Sequence, residues 1–390
     1  MAIESIKDRS AIVGIGVVDF STNIGRSEWY TASQCVKLAA EDAGLDIYDI
    51  DGMVKNVDDG PDPSYLTKGL GIDNLTYHSE SHWGTSAMMN AVQAIVSGAA
   101  NYCVYYQPAH RVTGPVKSSS DYRVARELKD DSLDLIRYDF MSPFGLIGQP
   151  AYVGMTYQRY MYEFGVKPEQ VGWIPVVESE NAAKNPNAIF FDKPITIEDY
   201  LNSRITVDPM REYDVAPKVD GAIAIIITTP EKARSLKQKP VMVASCAFGM
   251  APEGQFHTSY TRDSITELPE MKNMAKELFR IAGVSPKDIR AAMLDDTFVP
   301  YVPMQLEALG FCGRGEGAAF CEGGDRIRVG GELPINTDGG ALGQGKFDTT
   351  RIVEAVKQIR GTSTSQIDNA DMVLVASGAG GPADGMILRG

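Results

Sequence analysis

Two phrases of the chain repeat each other at the same spacing. Ala43-Gly44-Leu45 followed by Asp49-Ile50-Asp51 recurs as Ala282-Gly283-Val284 followed by Asp288-Ile289-Arg290. In both places a helical pattern precedes the glycine and a strand pattern follows the second triplet. Ser27 predicts the cap of the first helix, whose apolar face runs through Ala32, Cys35, Val36, Ala39, Ala40 and Ala43 until Gly44 stops it. Its counterpart is an amphipathic helix over Leu268–Ile281. Each half later carries a central helix (Thr85–Ser97; Thr349–Ile359) and then an apolar strand (Tyr102–Tyr106; Met372–Ala376). Such a repeat constrains the architecture to one βαβαβ-like unit used twice, fused and stacked. It also accounts for 390 residues, more than a single core usually organises. The halves divide as 1–238 and 239–390. The alternation of strand and helix implies a mainly parallel sheet with helices on both faces.

Within the first half, Ala11–Gly16 reads as a buried strand and Gly52-Met53-Val54 opens another. The stretch from Ser81 to Gly98 is the most telling. After Gly84 it holds no charge, and its only clearly polar positions are Ser86, Asn90, Gln93 and Ser97. A helix buried nearly all round is expected, packed through Ala87, Ala91 and Ala94 and ended by Gly98. Its approach, Ser81-His82-Trp83-Gly84, aims a helix N-terminus at the protein centre, where developing negative charge is favoured. A core helix with a tight approach turn fits the same residues.

Residues 111–208 interrupt the repeat. A charged, turn-rich run at 111–140 precedes two helical patterns, Ala151–Phe164 and Pro168–Ala183, and a short one at Thr196–Ser203. The apolar strand Ala222–Ile227 then returns the chain to the core. An excursion of this kind supplies substrate-binding walls, a lid or a subunit contact.

Composition narrows the function. A net charge of −14 excludes nucleic acid or an anionic membrane surface as the main partner, but not a phosphate-bearing ligand held by a local basic patch. The five cysteines are scattered and form no CxxC pair, so neither a metal site nor a disulfide framework is expected. No signal-like or bilayer-length apolar run is present, which points to a cytoplasmic protein.

Further phrases carry a family likeness. Leu306-Glu307-Ala308-Leu309-Gly310-Phe311 follows Asp296-Thr297-Phe298. Pro334-Ile335-Asn336-Thr337-Asp338-Gly339-Gly340 and Gly343-Gln344-Gly345 come later. With the duplicated halves, these resemble the thiolase superfamily in its sterol-carrier-protein-type branch. Within that branch the chain is most similar to the steroid side-chain CoA retro-aldolases, the thiolase-like lipid-transfer proteins. Ala11–Gly16, Asp19-Phe20-Ser21, Gly25-Arg26-Ser27-Glu28 and Lys193–Asp199 carry that closer likeness. The resemblance implies an α/β fold, a five-layer αβαβα sandwich of two βαβαβαββ halves with an inserted loop region. It implies a homodimer through the first half's sheet edge and a small OB-fold partner of the DUF35 type. Coenzyme A would enter as part of an acyl-CoA substrate, with no bound cofactor.

Where thiolases place a nucleophilic cysteine, counting back from Gly98, this chain has Ser81. The thiolase His-Asp-Cys-Phe phrase reads Asp295-Asp296-Thr297-Phe298, and the Gly-His-Pro phrase reads Gly345-Lys346-Phe347. The tyrosine, histidine and tyrosine that the resemblance to the aldolases implies at 295, 297 and 346 are replaced too. The positions stay polar. Asp295 and Lys346 are expected to face each other, as base and acid or as a structural ion pair. A retro-aldol cleavage of a β-hydroxyacyl-CoA needs a base for the hydroxyl proton, which Asp295 suits. It also needs stabilisation of a thioester enolate, which the N–H groups of Gly339–Gly345 with Lys346 or His82 suit. It needs no nucleophile. Asp296 fits an organising role, and Thr297 packs or hydrogen-bonds locally. Trp83, Gly84, His257, Gly340, Gly343 and Gly345 are the expected substrate contacts, while His78 and His110 carry no functional sign. A Claisen-type acyltransferase using Ser81, a Schiff base on Lys346 and a non-catalytic acyl-CoA or lipid-binding subunit are the alternative readings.

Overall fold

The computed structural model describes residues 6–57, 59–81, 84–114, 142–146, 148–252, 262–345 and 347–390. The first half runs β1 (Ala11–Ser21), α1 (Glu28–Ala43), β2 (Gly52–Asn56), α2 (Pro63–Leu70), β3 (Tyr77–Ser81), α3 (Gly84–Ser97) and β4 (Tyr102–His110). The excursion contributes α4 (Gln149–Phe164), α5 (Pro168–Val171), α6 (Trp173–Ala182), α7 (Ile197–Asn202) and a small hairpin of β5 (Ile205–Val207) and β6 (Met210–Arg211). Then come β7 (Asp220–Thr228) and α8 (Pro230–Ala233). The second half holds β8 (Val241–Gly249), α9 (Pro269–Ala282), β9 (Ala291–Met293), α10 (Tyr301–Ala308), α11 (Gly317–Cys321), α12 (Gly340–Gln344), α13 (Thr350–Arg360), β10 (Met372–Ser377) and β11 (Ala383–Arg389).

The repeat is visible in the strand order. The sheet runs β3-β2-β4-β7-β1-β8-β11-β10-β9. Read outward from the β1–β8 junction, each half presents the same sequence of elements. A single parallel bridge between Ala292 and Ile335 stands in the second half where β3 stands in the first. The halves join where Ala11 and Ile12 pair antiparallel with Met242 and Val241. Helices α1 and α9 both end on a left-handed glycine, Gly44 at φ 67° and Gly283 at φ 71°, and both lead through a 3₁₀ turn into a strand.

The sheet is mixed, which corrects the expectation of a mainly parallel one. β2 lies parallel to β3 and β4, and β10 to β9, but β7 runs antiparallel to both β4 and β1. β11 is likewise antiparallel to β10 and β8. Only the strands joined through helices can be parallel, and β11 follows β10 through a tight turn that forces reversal.

The layers follow from which side chains each helix buries. Ala32, Val36, Ala39 and Ala43 of α1 close over Val13, Val104 and Ile226. A Cβ on Gly16 would sit 2.1 Å from Cys35 O, so α1 lies directly on β1. On the other side, α3 and α13 share one core with strands of both halves through Ala87, Ala91, Ile95, Ile352, Val356 and Ile359. Beyond it, Met271, Met274 and Leu278 of α9 pack on Ala244, Leu374 and Ile387. Helix α1, the first half's strands, the paired central helices, the second half's strands and helix α9 make five layers.

Three local expectations need correction. α3 is not buried all round: Ser86, Asn90, Gln93 and Ser97 stand four, three and four residues apart, which is one stripe of a helix, and that stripe stays half-exposed or exposed. Asn90 Nδ2 reaches Ser79 Oγ on β3 at 2.9 Å. The helix expected at Pro168–Ala183 is two, broken at Gly172, where a Cβ would lie 2.4 Å from the Tyr200 ring. Finally, α2 and β3 were not anticipated, although Asp62, Pro63 and Gly71 supply α2 with a side-chain cap, a first-turn proline and a left-handed stop.

Candidate active site

The N-termini of α3 and α13 meet. A Cβ on Gly84 would stand 2.9 Å from Thr349 Oγ1 and 3.3 Å from the Tyr105 hydroxyl. Thr85 Oγ1 and Ser377 Oγ, from the end of β10, lie 3.3 Å apart. Into this junction the first turn of α13 projects Arg351, whose side chain is 1% exposed. Its Nη1 is 3.5 Å from Asp295 Oδ1 and 3.7 Å from Asp296 Oδ1. Its Nη2 donates to Ser377 Oγ at 3.0 Å and lies 3.5 Å from Asp348 Oδ1. Burial alone would weaken the guanidinium's hold on its proton; Asp295, Asp348, Asp296 and Asp384 reverse that.

Asp295 is clamped from every side. Gln305 grips its backbone, donating from Nε2 to its carbonyl at 2.6 Å and accepting from its N–H at 3.0 Å. Its Oδ1 accepts from Thr297 N–H at 3.2 Å, and its Oδ2 from Gly378 and Ala379 N–H at 3.3 and 3.4 Å. The side chain keeps 15% exposure, so its carboxylate opens to the site. Thr297 contributes backbone only among these contacts, and its carbonyl accepts from Ala216 N–H at 3.0 Å.

Asp296 is fully buried. Its Oδ2 accepts from Leu342 N–H at 2.9 Å, and its side chain meets that of Glu178 from α6. Burial pushes the Asp296 carboxyl up to about 7, against the pull of Arg351. Burial, then the Asp296 charge, pushes Glu178 well above the ordinary glutamate range. Asp384 on β11 fixes the first turn of α3, accepting from Ser86 N–H at 2.9 Å and Ser86 Oγ at 2.5 Å; burial raises it to about 6.

The glycine turn behaves differently from expectation. Gly340 N–H donates to Asp338 Oδ1, Leu342 N–H to Asp296, Gly343 N–H to Gly339 O and Gly345 N–H to Ala341 O. Gly339 N–H donates to Asn336 O as well, so five of its N–H groups are already occupied. The first-turn N–H groups of α3 have no intrahelical acceptor, and Asp384 takes Ser86's. Gly340 is needed for close approach: at φ 59° its Cβ would fall 2.3 Å from Asp296 Oδ2. Gly343 borders a cavity of about 210 Å³ whose walls include Pro175, Phe190, Ile195, Val215 and Leu342.

Ser81 ends β3 and pairs with Asn56 of β2. All five thiols are free, and burial raises each of them, Cys246 and Cys312 to about 12. His110 is buried against Thr31 Oγ1 at 3.2 Å, away from this junction. His82, Trp83, His257 and Lys346 lie outside the described residues. The cation that the described residues set on Asp295 is Arg351, which sequence reasoning passed over together with Glu178, Ser377 and Asp384. One signal was available for Arg351. A cation in the first turn of a helix opposes the dipole, so it implies carboxylates close by.

Comparison with known proteins places the chain. Residues 253–387 match the family model "Thiolase C-terminal domain-like". The chain is 38% identical over 388 residues to the 17-hydroxy-3-oxo-4-pregnene-20-carboxyl-CoA lyase of Mycobacterium tuberculosis, covering 98% of this chain and 100% of that one. It is 38% identical over 384 residues to the steroid side-chain-cleaving aldolase of Thermomonospora curvata, covering 97% of each. A solved structure described as an Ltp2-ChsH2(DUF35) aldolase superposes with a TM-score of 0.92 at 36% identity, over 99% of this chain and 98% of that one.

Proposed function

Because the chain belongs to the thiolase superfamily, in its sterol-carrier-protein-type branch with the steroid side-chain-cleaving aldolases, we propose that it is a CoA-thioester-dependent carbon–carbon lyase. It cleaves a β-hydroxyacyl-CoA by a retro-aldol step into a carbonyl compound and a shorter acyl-CoA, with no acyl-enzyme. Coenzyme A is part of the substrate.

Asp295 takes the proton of the β-hydroxyl. The Cα–Cβ bond breaks, the oxygen's electron pair forms the new C=O, and the bond's electrons pass into the thioester as an enolate. The N–H groups of Gly84 and Thr85, at the positive end of α3, meet the enolate oxygen, and Lys346, outside the described residues, is the cation proposed for this step. Reprotonation at Cα by the proton held on Asp295 releases the acyl-CoA and restores the base. The observation that carries this reading is Asp295 itself. It is a carboxylate held by three backbone N–H groups and one guanidinium, yet still open to the site. The raised thiols support a route without a sulfur nucleophile.

Two assembly features belong to the same proposal. β3 is the outer strand of the sheet, and its free edge suits pairing with a second copy into a homodimer. The solved relative is an aldolase named with a DUF35 protein, and a small OB-fold partner of that type would complete this enzyme. No described helix is long and apolar enough to cross a membrane, and a cytoplasmic location is proposed.

The test is incubation with β-hydroxyacyl-CoAs bearing steroid-like or aromatic side chains, with and without the partner. Carbonyl product and shortened acyl-CoA in equal amounts are expected. An acyl group trapped on Ser81 would replace the lyase by an acyltransferase. Activity of the assembled complex unchanged in Asp295→Ala and Lys346→Ala would leave the chain as a binding subunit.

A further inference from the structure

Behind Asp295 the protein buries more acid than its cations can neutralise. Glu178 and Asp296 are both fully buried, and their side chains are in hydrogen-bonding contact with each other. The remaining partners are few. Asn336 Nδ2 donates to Glu178 Oε1 at 2.6 Å, and Leu342 N–H donates to Asp296 Oδ2 at 2.9 Å. Each carboxyl keeps one oxygen that no donor among the described residues reaches, Oε2 of Glu178 and Oδ1 of Asp296. Two ionised carboxylates are acceptors only, so neither can satisfy the other. In a low-dielectric interior, like charges in contact cannot both persist.

We infer that Glu178 and Asp296 share one proton, carried by Glu178, and that this proton is the link that holds the α12 turn against Asp296. The neighbouring charges favour the anion on Asp296 and the proton on Glu178. Arg351 from α13 faces Asp296 at 3.7 Å and favours its anion. Asp295 beside it and Asp338 on the approach to α12 both act against a second negative charge. Asp338 is itself engaged by Gly340 N–H, by Gln344 Nε2 and by the charge of Lys357, and Glu354 lies near it. Burial, Asp296, Asn336 and Asp338 act most strongly on Glu178.

The shared proton has a mechanical consequence. Asp296 holds α12 through Leu342 N–H, and the Gly340 backbone lies hard against its Oδ2. Glu178 comes from α6 of the excursion. The pair therefore pins the excursion to the glycine turn bordering the site. When the proton leaves, the two carboxylates repel and the turn loses its anchor. Glu178 is thus a positioning residue. Its effect on catalysis rests on the lyase reading; the proton itself does not.

Three variants of the full-length protein, with its OB-fold partner where activity is read, test this. At neutral pH, infrared difference spectra of wild type against Glu178→Gln should show the C=O stretch of a neutral carboxyl group that the variant lacks. Glu178→Gln, whose amide donates without titrating, should keep cleavage within about threefold and flatten the loss of thermal stability between pH 6 and 8. Glu178→Ala should lower cleavage by ~10-fold or more. Asp296→Asn should remove the same infrared band, since the amide then satisfies an ionised Glu178. The proposal is overturned if no neutral-carboxyl band exists at pH 7, or if Glu178→Gln and wild type lose stability with the same pH slope. If wild type cleaves no β-hydroxyacyl-CoA, the lyase reading falls, and the infrared and stability results decide the proton by themselves.

Discussion

Arg351 Nη1 lies 3.5 Å from Asp295 Oδ1, with the arginine side chain 1% exposed. This cation sits where a helix dipole is least hospitable to it, in the first turn of α13. It is kept there by four aspartates, from the β9–α10 link, the approach to α13 and β11. Removing it leaves those carboxylates facing one another in a dry junction. Arg351→Ala should cost about 3–5 kcal/mol in chemical denaturation. Arg351→Lys should recover part of this but not all, because one ammonium cannot reach Asp295, Asp296 and Ser377 with the fork geometry of a guanidinium.

Asp295→Asn separates base from scaffold. The single amide oxygen can accept from Gly378 and Ala379 N–H or from Thr297 N–H, but not from both sets, so the variant keeps the volume and part of the backbone hydrogen bonding of the native carboxylate. The loss of basicity should lower cleavage of a β-hydroxyacyl-CoA by ~10²–10⁴-fold, read in kcat with little change in KM. A purely structural Asp295 would show the opposite pattern, with stability lost and turnover kept.

Stability should fall as pH rises through neutrality. Burial raises the Asp384 and Asp214 carboxyls to about 6, and Glu354 to about 7. Each of these groups binds its proton more tightly folded than unfolded. The advantage is complete below the unfolded values of 3.8 and 4.5 and is gone once pH exceeds the folded ones. Thermal melts should therefore give a lower Tm at pH 8 than at pH 5.5. Asp384→Asn, which preserves the acceptor for Ser86, should reduce the slope near pH 6. A melting profile rising steadily from pH 5.5 to 8 would contradict the assignment.

The duplicated architecture was legible because it rests on local, periodic signals. Ser27, Gly44 and the alanine face of α1 declare that helix outright, and the matching glycine at 283 declares its twin. Strand direction was not legible. Nothing in Asp220–Thr228 distinguishes a parallel from an antiparallel neighbour, since that choice depends on where the excursion returns the chain. In the site, Asp295 stood out because it interrupts a family phrase, and Asp296 because it keeps that phrase's aspartate. Arg351 and Glu178 did not, because each lies in an ordinary amphipathic helix. Their meaning arises only when α13 and α6 are folded onto the same loop. The polar stripe of α3 was legible in its spacing, and the absence of charge disguised it.

The missing nucleophile makes the last prediction the most decisive for reaction class. Burial holds the thiols of Cys35, Cys103, Cys246, Cys312 and Cys321 far from ionisation at neutral pH, and the thiolate is the reactive form. Iodoacetamide at pH 7 should therefore leave cleavage intact. Ser81 occupies the end of β3, where its carbonyl accepts from Val57 N–H at 2.9 Å, a backbone role that any residue can fill. Ser81→Ala should keep turnover within about twofold, as a substitution outside core and network usually does. Intact-mass spectra taken during turnover should show no acyl adduct in wild type. An adduct that vanishes in Ser81→Ala would move the chemistry from carbon–carbon cleavage by base to acyl transfer, and Asp295 would then have to act on the serine, not on the substrate hydroxyl.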